Sequence, residues 1–217
     1  MTDFPRPILT VDVVVLELRD TGLWLGTIAR DSAPFPQMPA LPGGYVHVDT
    51  DKDTADTARR VIKAKAGLTD IFCEQLGTFS GADRDPRGWS ATVVYYALIR
   101  GARPKGAGLV WVPAGNPGVL AFDHNELVAA ALDRLRAKGS WSNLPAFLLA
   151  KTFTLAELRQ TYETILGTSL NDSAFRRKME ELDLIEPVIG KKSKSTARPA
   201  QIYRLKQGAL RAFDRRI

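Results

Sequence analysis

Residues 41–68, LPGGYVHVDTDKDTADTARRVIKAKAGL, constrain this chain more than any other stretch. Pro42-Gly43-Gly44 reads as a turn, because proline and glycine punctuate regular structure. A loop follows, then a helix in which Ala55, Ala58, Ile62 and Ala66 recur at helical spacing and form one apolar face. Ala66-Gly67-Leu68 closes it. On the residues alone, Arg59-Arg60-Val61-Ile62 is part of a basic amphipathic helix. Around it lie strand signals. Residues 8–18 are rich in β-branched side chains and read as a buried strand. Residues 24–30, 72–78, 89–99 and 109–112 read as further strands, while Pro34, Pro36, Pro39 and Pro42 break residues 31–42. Asp123, with Glu126 three positions on, predicts a capped helix running to about Lys138 with Leu127, Ala131 and Leu135 inward. Strands with two helices across residues 1–140 predict an α/β/α sandwich with a mixed sheet.

A chain of 217 residues suits one large domain or two small ones. Its one cysteine, Cys73, permits no internal disulfide and reads as a core residue of an intracellular protein. The first residues lack a charged-then-apolar leader and no apolar run could span a bilayer, so the expectation is a soluble, cytoplasmic protein without membrane contact. The charge is uneven. Residues 1–140 hold sixteen Lys+Arg and sixteen Asp+Glu, whereas residues 141–217 hold fourteen and eight. The whole net charge of +6 therefore sits in the C-terminal part. A localised basic excess points to an acidic partner such as nucleic acid, with a solvated basic surface as the plain alternative.

Residues 141–217 change pattern to short helices. Residues 144–150 give one. Thr154 with Glu157 forms a capping box that opens a second, with Leu155, Leu158, Tyr162, Ile165 and Leu166 inward. Gly167-Thr168-Ser169 is a turn. Asn171 or Asp172 caps a third helix, which turns Phe175, Met179 and Leu182 to one side and Arg176, Arg177 and Lys178 elsewhere. Residues 184–189 and 201–206 read as strands around a basic loop. That order predicts a winged helix-turn-helix. The helix from Asp172 is the candidate recognition helix. Ser173, Arg176 and Arg177 lie near its start, where base edges are reached, and arginine pairs bidentately with guanine. Lys178 suits a phosphate, and Lys191, Lys192, Lys194 and Arg198 on the hairpin suit backbone or minor-groove contacts. The plain alternative is a protein-docking domain with an incidental basic loop.

Residues 77–89, GTFSGADRDPRGW, form a second constellation. Arg84 and Arg87 can hold a pyrophosphate as bidentate donors, and Phe79 or Trp89 can stack on an adenine. Composition alone favours a simpler reading, an ion-paired loop in which Asp83 and Asp85 neutralise the arginines.

The stretch 41–68 resembles the Nudix box, G-x5-E-x7-R-E-U-x-E-E-x-G-U, in which U is a bulky apolar residue. Aligned from Gly67-Leu68, Arg60 takes the arginine and Ile62 the apolar position. The glutamates fall on Val61, Ala64 and Lys65, and the early glutamate has only Lys52 or a neighbouring aspartate opposite it. Family hydrolases hold Mg²⁺ with those carboxylates, and Mg²⁺ demands oxygen ligands. A lysine in their place repels a cation: two like unit charges about 4 Å apart cost about 4 kcal/mol at an effective dielectric of about 20. The resemblance therefore implies a ligand-binding cleft with no metal ligand, no catalytic residue and no cofactor.

More of the chain fits a narrower resemblance. The degenerate box, Thr78-Phe79 followed by DRDPRG, Ala121-Phe122-Asp123-His124 opening a helix, and a winged helix with Phe175-Arg176-Arg177-Lys178 and Arg198-Pro199-Ala200 occur in one order. Together they are similar to the Nudix-related transcriptional regulators of NAD metabolism. The resemblance implies an α+β chain: a Nudix-like ligand-sensing domain in residues 1–140 and a winged helix-turn-helix in residues 141–217. It implies a dimeric repressor on a palindromic duplex operator, released by ADP-ribose or a related metabolite. Gly43, Gly44, Arg60, Phe79, Arg84, Arg87 and Trp89 become the candidate ligand contacts. The glycines let backbone approach a phosphate. His124 is a helix-start or junction residue, and His47 has no assigned role. Helix 124–138 joins the domains and is the natural lever. Two alternatives stand beside this reading. One is a nucleoside-diphosphate hydrolase using Asp49, Asp51 and Asp53; the other is a regulator answering to a sugar or another metabolite.

Overall fold

The computed structural model describes residues 6–100, 108–193 and 199–217. The chain forms two compact units, the first including Trp24–Leu98 and the second including Leu132–Ile217. Within the described residues no helix is long and apolar enough to cross a membrane.

The first unit is built on a seven-stranded sheet. Its strands are β1 (Ile8–Arg19), β2 (Gly22–Ala29), β3 (Pro39–Ala40), β4 (Gly43–Tyr45), β5 (Phe72–Gly81), β6 (Ser90–Ile99) and β7 (Val110–Pro113). The order is β3-β2-β1-β6-β5, with β4 also paired to β1 and β7 to β2. The expected mixed-sheet architecture is the one observed. In β1, Val11, Val13, Val14, Val15 and Leu16 are fully buried. A run buried on both faces marks a central strand, and each such side chain contributes roughly 1.5–3 kcal/mol.

Helix α1 (Thr54–Ala66) is the helix of the motif. Asp53 caps it by accepting from the Asp56 N–H, and Gly67 ends it in the left-handed region at φ 64°. Ala58, Val61, Ile62 and Ala66 are its buried face. Two strands were not expected. Proline 39 starts β3, and the Pro-Gly-Gly turn opens into β4, which pairs antiparallel with β1 in the register Thr10↔Tyr45 and Asp12↔Gly43. Strands of two and three residues are too short to leave an alternating pattern in a sequence.

Helix α2 (His124–Gly139) begins one residue after Asp123. The predicted side-chain cap is absent. The Glu126 N–H goes to the Asp123 carbonyl, while the Asp123 carboxylate is held by Arg84.

In the second unit a short 3-10 helix (Leu144–Leu148) leads to β8 (Phe153–Thr154), α3 (Leu155–Leu166), α4 (Asp172–Glu181), β9 (Ile185–Ser193) and β10 (Ala200–Leu205). The three strands order as β8-β10-β9, antiparallel throughout. This is the expected winged helix-turn-helix, with β8 as an unexpected third strand. The Thr154–Glu157 capping box is complete, Gly167 turns the chain at φ 68°, and Asn171, rather than Asp172, caps α4. Phe153, Leu158, Tyr162, Phe175, Met179 and Leu184 form the core. Tyr162 packs edge-on against Phe175 at 5.5 Å and donates to the Ser142 carbonyl at 2.8 Å.

Candidate functional site

Arg60, the arginine of the motif, is a brace. Its Nε and Nη2 donate to the two oxygens of Asp51 at 2.9 and 2.6 Å, and Nη2 also donates to the Tyr45 carbonyl at 2.8 Å. Asp51 further accepts from Thr57 Oγ1 at 2.8 Å and from the His47 N–H at 2.9 Å. The Arg60 guanidinium, above all, holds the Asp51 carboxyl well below the usual carboxylate range, although partial desolvation opposes it. The two-residue-longer loop thus still supplies an acid to the arginine: Asp51 is the neighbouring aspartate. Arg60 does not line the cavity described next. Its Nε and Nη2 are committed to closing the loop between β4 and α1.

That cavity, of about 270 Å³, is walled by β1, β4, the end of α1 and the loops after β2 and β5. Gly43, Gly44, Arg84 and Arg87 line it as expected of ligand contacts. Phe79 and Trp89 do not. Phe79 lies on β5, the outermost strand on the path away from β2, and pairs with Thr92 of β6, and Trp89 is 51% exposed just before β6.

Gly43 has a tighter role than an open approach to phosphate. A Cβ there would lie 1.9 Å from Asp12 Oδ1 and 3.1 Å from the Val11 carbonyl oxygen. The bare backbone leaves room for a buried carboxylate. Asp12 accepts from Thr92 Oγ1 at 2.7 Å, and its Oδ1 lies 3.8 Å from His124 Nε2. His124 Nδ1 accepts the Leu41 N–H at 2.9 Å, so the neutral ring carries its proton on Nε2, toward Asp12. Burial pulls the His124 pKa down despite Asp12, and the pair is a neutral imidazole beside a carboxylate, not an ion pair. His124 does start α2, as expected, and also forms part of the cavity wall.

The loop after β5 combines both sequence readings. Arg84 is bidentate to Asp123 at 2.9 and 2.9 Å and donates to Ser90 Oγ at 3.1 Å. Arg87 is bidentate to Asp85 at 3.0 and 2.7 Å and donates to the Tyr45 hydroxyl at 2.5 Å. The arginines are ion-paired, as composition suggested, and both still face the cavity. Asp85 is held below its ordinary pKa chiefly by Arg87.

Three cavity residues escaped the sequence reading. Arg30 donates through Nε to the Pro34 carbonyl at 2.7 Å and through Nη2 to the Ser32 carbonyl at 3.3 Å. Its guanidinium stacks 4.6 Å from the Phe122 ring centroid. Phe122 adopts a positive φ of 56° and meets Phe35 edge-on at 5.0 Å. Lys65, from the last turn of α1, also lines the cavity. The Ala-Phe-Asp-His run pointed to Phe122 only as one member of a motif, Lys65 drew notice only as a missing glutamate, and nothing local distinguishes Arg30. Of the other glutamate positions, Val61 is buried, its Cγ2 3.3 Å from where a Gly44 Cβ would lie, and Ala64 is exposed outside the cavity. Cys73 is half-buried, and burial pushes its thiol up to about 11.

The second unit presents a different chemistry. Phe175 and Met179 are buried, while Ser173, Arg176 and Arg177 are exposed. Arg177 lies 3.7 Å from Glu181, with both side chains largely exposed, a contact that water screens. Lys178 is half-buried. Lys191 and Lys192 belong to β9. Lys194 and Arg198 lie outside the described residues.

Comparison with known proteins agrees with both halves. Residues 145–205 match the family model described as the NrtR DNA-binding winged helix domain. The ADPR responsive transcriptional repressor NtrR of Acinetobacter baylyi is 36% identical over 220 residues, covering 98% of this chain and 86% of the relative. The crystal structure of Shewanella oneidensis NrtR complexed with a 27mer DNA superposes with a TM-score of 0.88 at 33% identity, covering 96% of this chain and 99% of that one. The NUDIX domain of the same protein, complexed with ADP ribose, superposes with a TM-score of 0.55 at 33% identity, covering 61% of this chain and 90% of that one. With that likeness running through nearly its whole length, the chain belongs to the NrtR family of Nudix-type transcriptional regulators.

Proposed function

We propose that this chain is a transcriptional repressor that binds a palindromic operator in NAD-metabolism genes and releases it when ADP-ribose fills the cavity of the first unit. Residues 1–140 are its sensing domain and 141–217 its reading domain, and it acts as a homodimer in the cytoplasm. What carries the reading is the union, on one chain, of a cavity walled by Arg30, Lys65, Arg84 and Arg87 with a winged helix whose α4 leaves Arg176 and Arg177 exposed. The relatives supply the effector: one responds to ADPR, and another has a NUDIX domain complexed with ADP ribose.

A dimer presents two recognition helices, and operator affinity depends on their spacing matching the half-sites. Ligand in the cavity favours an arrangement in which the spacing fails. A coupling of about 1–3 kcal/mol changes affinity by about 5–150-fold. The test is fluorescence anisotropy on a labelled duplex from the DNA upstream of the chain's own gene, across a salt series. Binding should weaken steeply with salt, exceed binding to a scrambled duplex, and fall on adding ADP-ribose. Equal binding to the scrambled duplex refutes operator recognition, and indifference to ADP-ribose refutes the effector.

We propose that the cavity binds its ligand without turnover. Val61, Ala64 and Lys65 offer no carboxylate in the motif. Asp51 is bound to Arg60 and Thr57, and Asp53 caps α1, so two of the three displaced aspartates already serve the fold. ADP-ribose incubated with the protein and Mg²⁺ should yield no AMP by chromatography; release at ordinary enzyme rates would restore the hydrolase reading.

A further inference from the structure

The Nudix fold implies a divalent metal, and the residues around this cavity do not fit one. Among the described residues no three carboxylates, histidines or cysteines come together as a cage. Of the three aspartates lining the cavity, Asp85 is tied to Arg87, Asp12 is fixed beneath Gly43 by Thr92, and Asp31 stands exposed. Lys65, at a glutamate position of the motif, brings a cation into the cavity instead.

The four cations of the cavity are not equivalent. Arg84 and Arg87 have carboxylate partners. Among the described residues, Arg30 and Lys65 take part in no salt bridge. The Arg30 head is fixed in place by two carbonyls and the Phe122 ring, with only Nε and Nη2 spent on the carbonyls. Lys65 is exposed overall, yet desolvation, first, and the charge of Arg30 both pull its pKa below the ordinary value, against Asp12 and Asp31. Neither cation is held in an ion pair, Asp12 and Asp31 act on Lys65 only through space, and two cations sharing one cavity are stabilised by an anion placed between them. A diphosphate carries the oxygens for both: arginine offers paired donors and lysine a mobile point charge.

We infer that Arg30 and Lys65 form a two-cation clamp for the diphosphate of the ligand, so that ligand binding needs no divalent metal. The clamp rests on the proposed ADP-ribose response and adds to it how the ligand is held. Lys65 replaces the metal's electrostatic part without its Lewis-acid part, which separates binding the pyrophosphate from breaking it. A lysine serving only the helix C-terminus would leave ligand affinity untouched.

The test is isothermal titration of ADP-ribose into the full-length chain, with EDTA and with Mg²⁺. Wild type should bind equally in both, within about twofold. Lys65→Ala and Arg30→Ala should each weaken binding by about tenfold or more, the loss of roughly one charge-assisted contact. Lys65→Arg should stay within about threefold, since the charge is kept. Melting temperature should stay within about 3 °C of wild type in both Lys65 variants, because among the described residues Lys65 holds no ion-pair partner and sits at the end of α1. Wild-type binding that disappears in EDTA, or Lys65→Ala binding at wild-type strength, overturns the clamp and leaves the effector reading intact. No binding to wild type in either buffer overturns both.

Discussion

Gly43→Ala tests the packing on which the cavity floor depends. An added Cβ would stand 1.9 Å from Asp12 Oδ1, against a practical minimum of 3.0 Å, with the Val11 carbonyl oxygen at 3.1 Å behind it. Either the Asp12 carboxylate swings by about an ångström or the β1–β4 ladder opens. Asp12 cannot swing freely: it accepts from Thr92 Oγ1 at 2.7 Å and is 6% exposed. Overpacking a tight site costs about 1–3 kcal/mol, and losing a hydrogen bond to a buried charge adds about 1.5–3 kcal/mol. Some relief through strand movement puts the net at about 2–4 kcal/mol. At about 2–4 °C per kcal/mol for a chain of this size, the melting temperature should fall by roughly 4–16 °C. Differential scanning fluorimetry without ligand reads this directly. Gly44→Ala is the control, because its Cβ meets only Val61 Cγ2 at 3.3 Å and should shift melting by about 2 °C or less. Adding Asp12→Ala to Gly43→Ala should recover part of the loss, giving a coupling of about 1 kcal/mol or more in the double-mutant cycle. If Gly43→Ala melts like wild type and loses only ADP-ribose binding, the glycine serves phosphate approach and the carboxylate argument fails.

Asp51→Asn should lower the melting temperature at neutral pH. Because Arg60 depresses the Asp51 pKa below its ordinary 3.8, the stability it contributes is present above that value and is lost as pH falls through the lower, folded-state one; the gap between wild type and variant should therefore close in acid melts. Arg176→Ala or Arg177→Ala should cost about 1–3 kcal/mol of operator binding and relax base preference, if either reads a base edge; anisotropy that moves for neither excludes α4 as the recognition helix. Thr154→Ala removes the capping box and should cost about 0.5–2 kcal/mol by urea denaturation, without reducing operator affinity measured well below the transition.

Elements with strong local signals could be read from the sequence. Central strand β1 announces itself through an unbroken β-branched run. Helix α1 does so through Gly67, and α3 through the Thr154–Glu157 pair. Strands β3 and β4 could not be read, because only a few residues of each take part and their pairing with β2 and β1 leaves no local pattern. Side-chain partnerships between distant positions were equally hidden. Asp123 looks like a cap until Arg84, 39 residues away, claims its carboxylate. Arg60 stands among the candidate ligand contacts, but Asp51 takes the Nε–Nη2 edge of its guanidinium and it does not line the cavity. For the cavity, sequence found the residues on the glycine turn and the charged loop and missed Arg30 and Phe122, which adjoin only once β2 and the segment before α2 come together.

The Arg60–Asp51 brace bears on how such motifs are interpreted. Its hydrogen bonds tie a loop down whether or not any phosphate is ever cleaved nearby. An arginine at that point of the helix therefore reports an intact scaffold. Sequence searches that treat it as a sign of hydrolysis will gather proteins that share a shape, whatever chemistry each of them does.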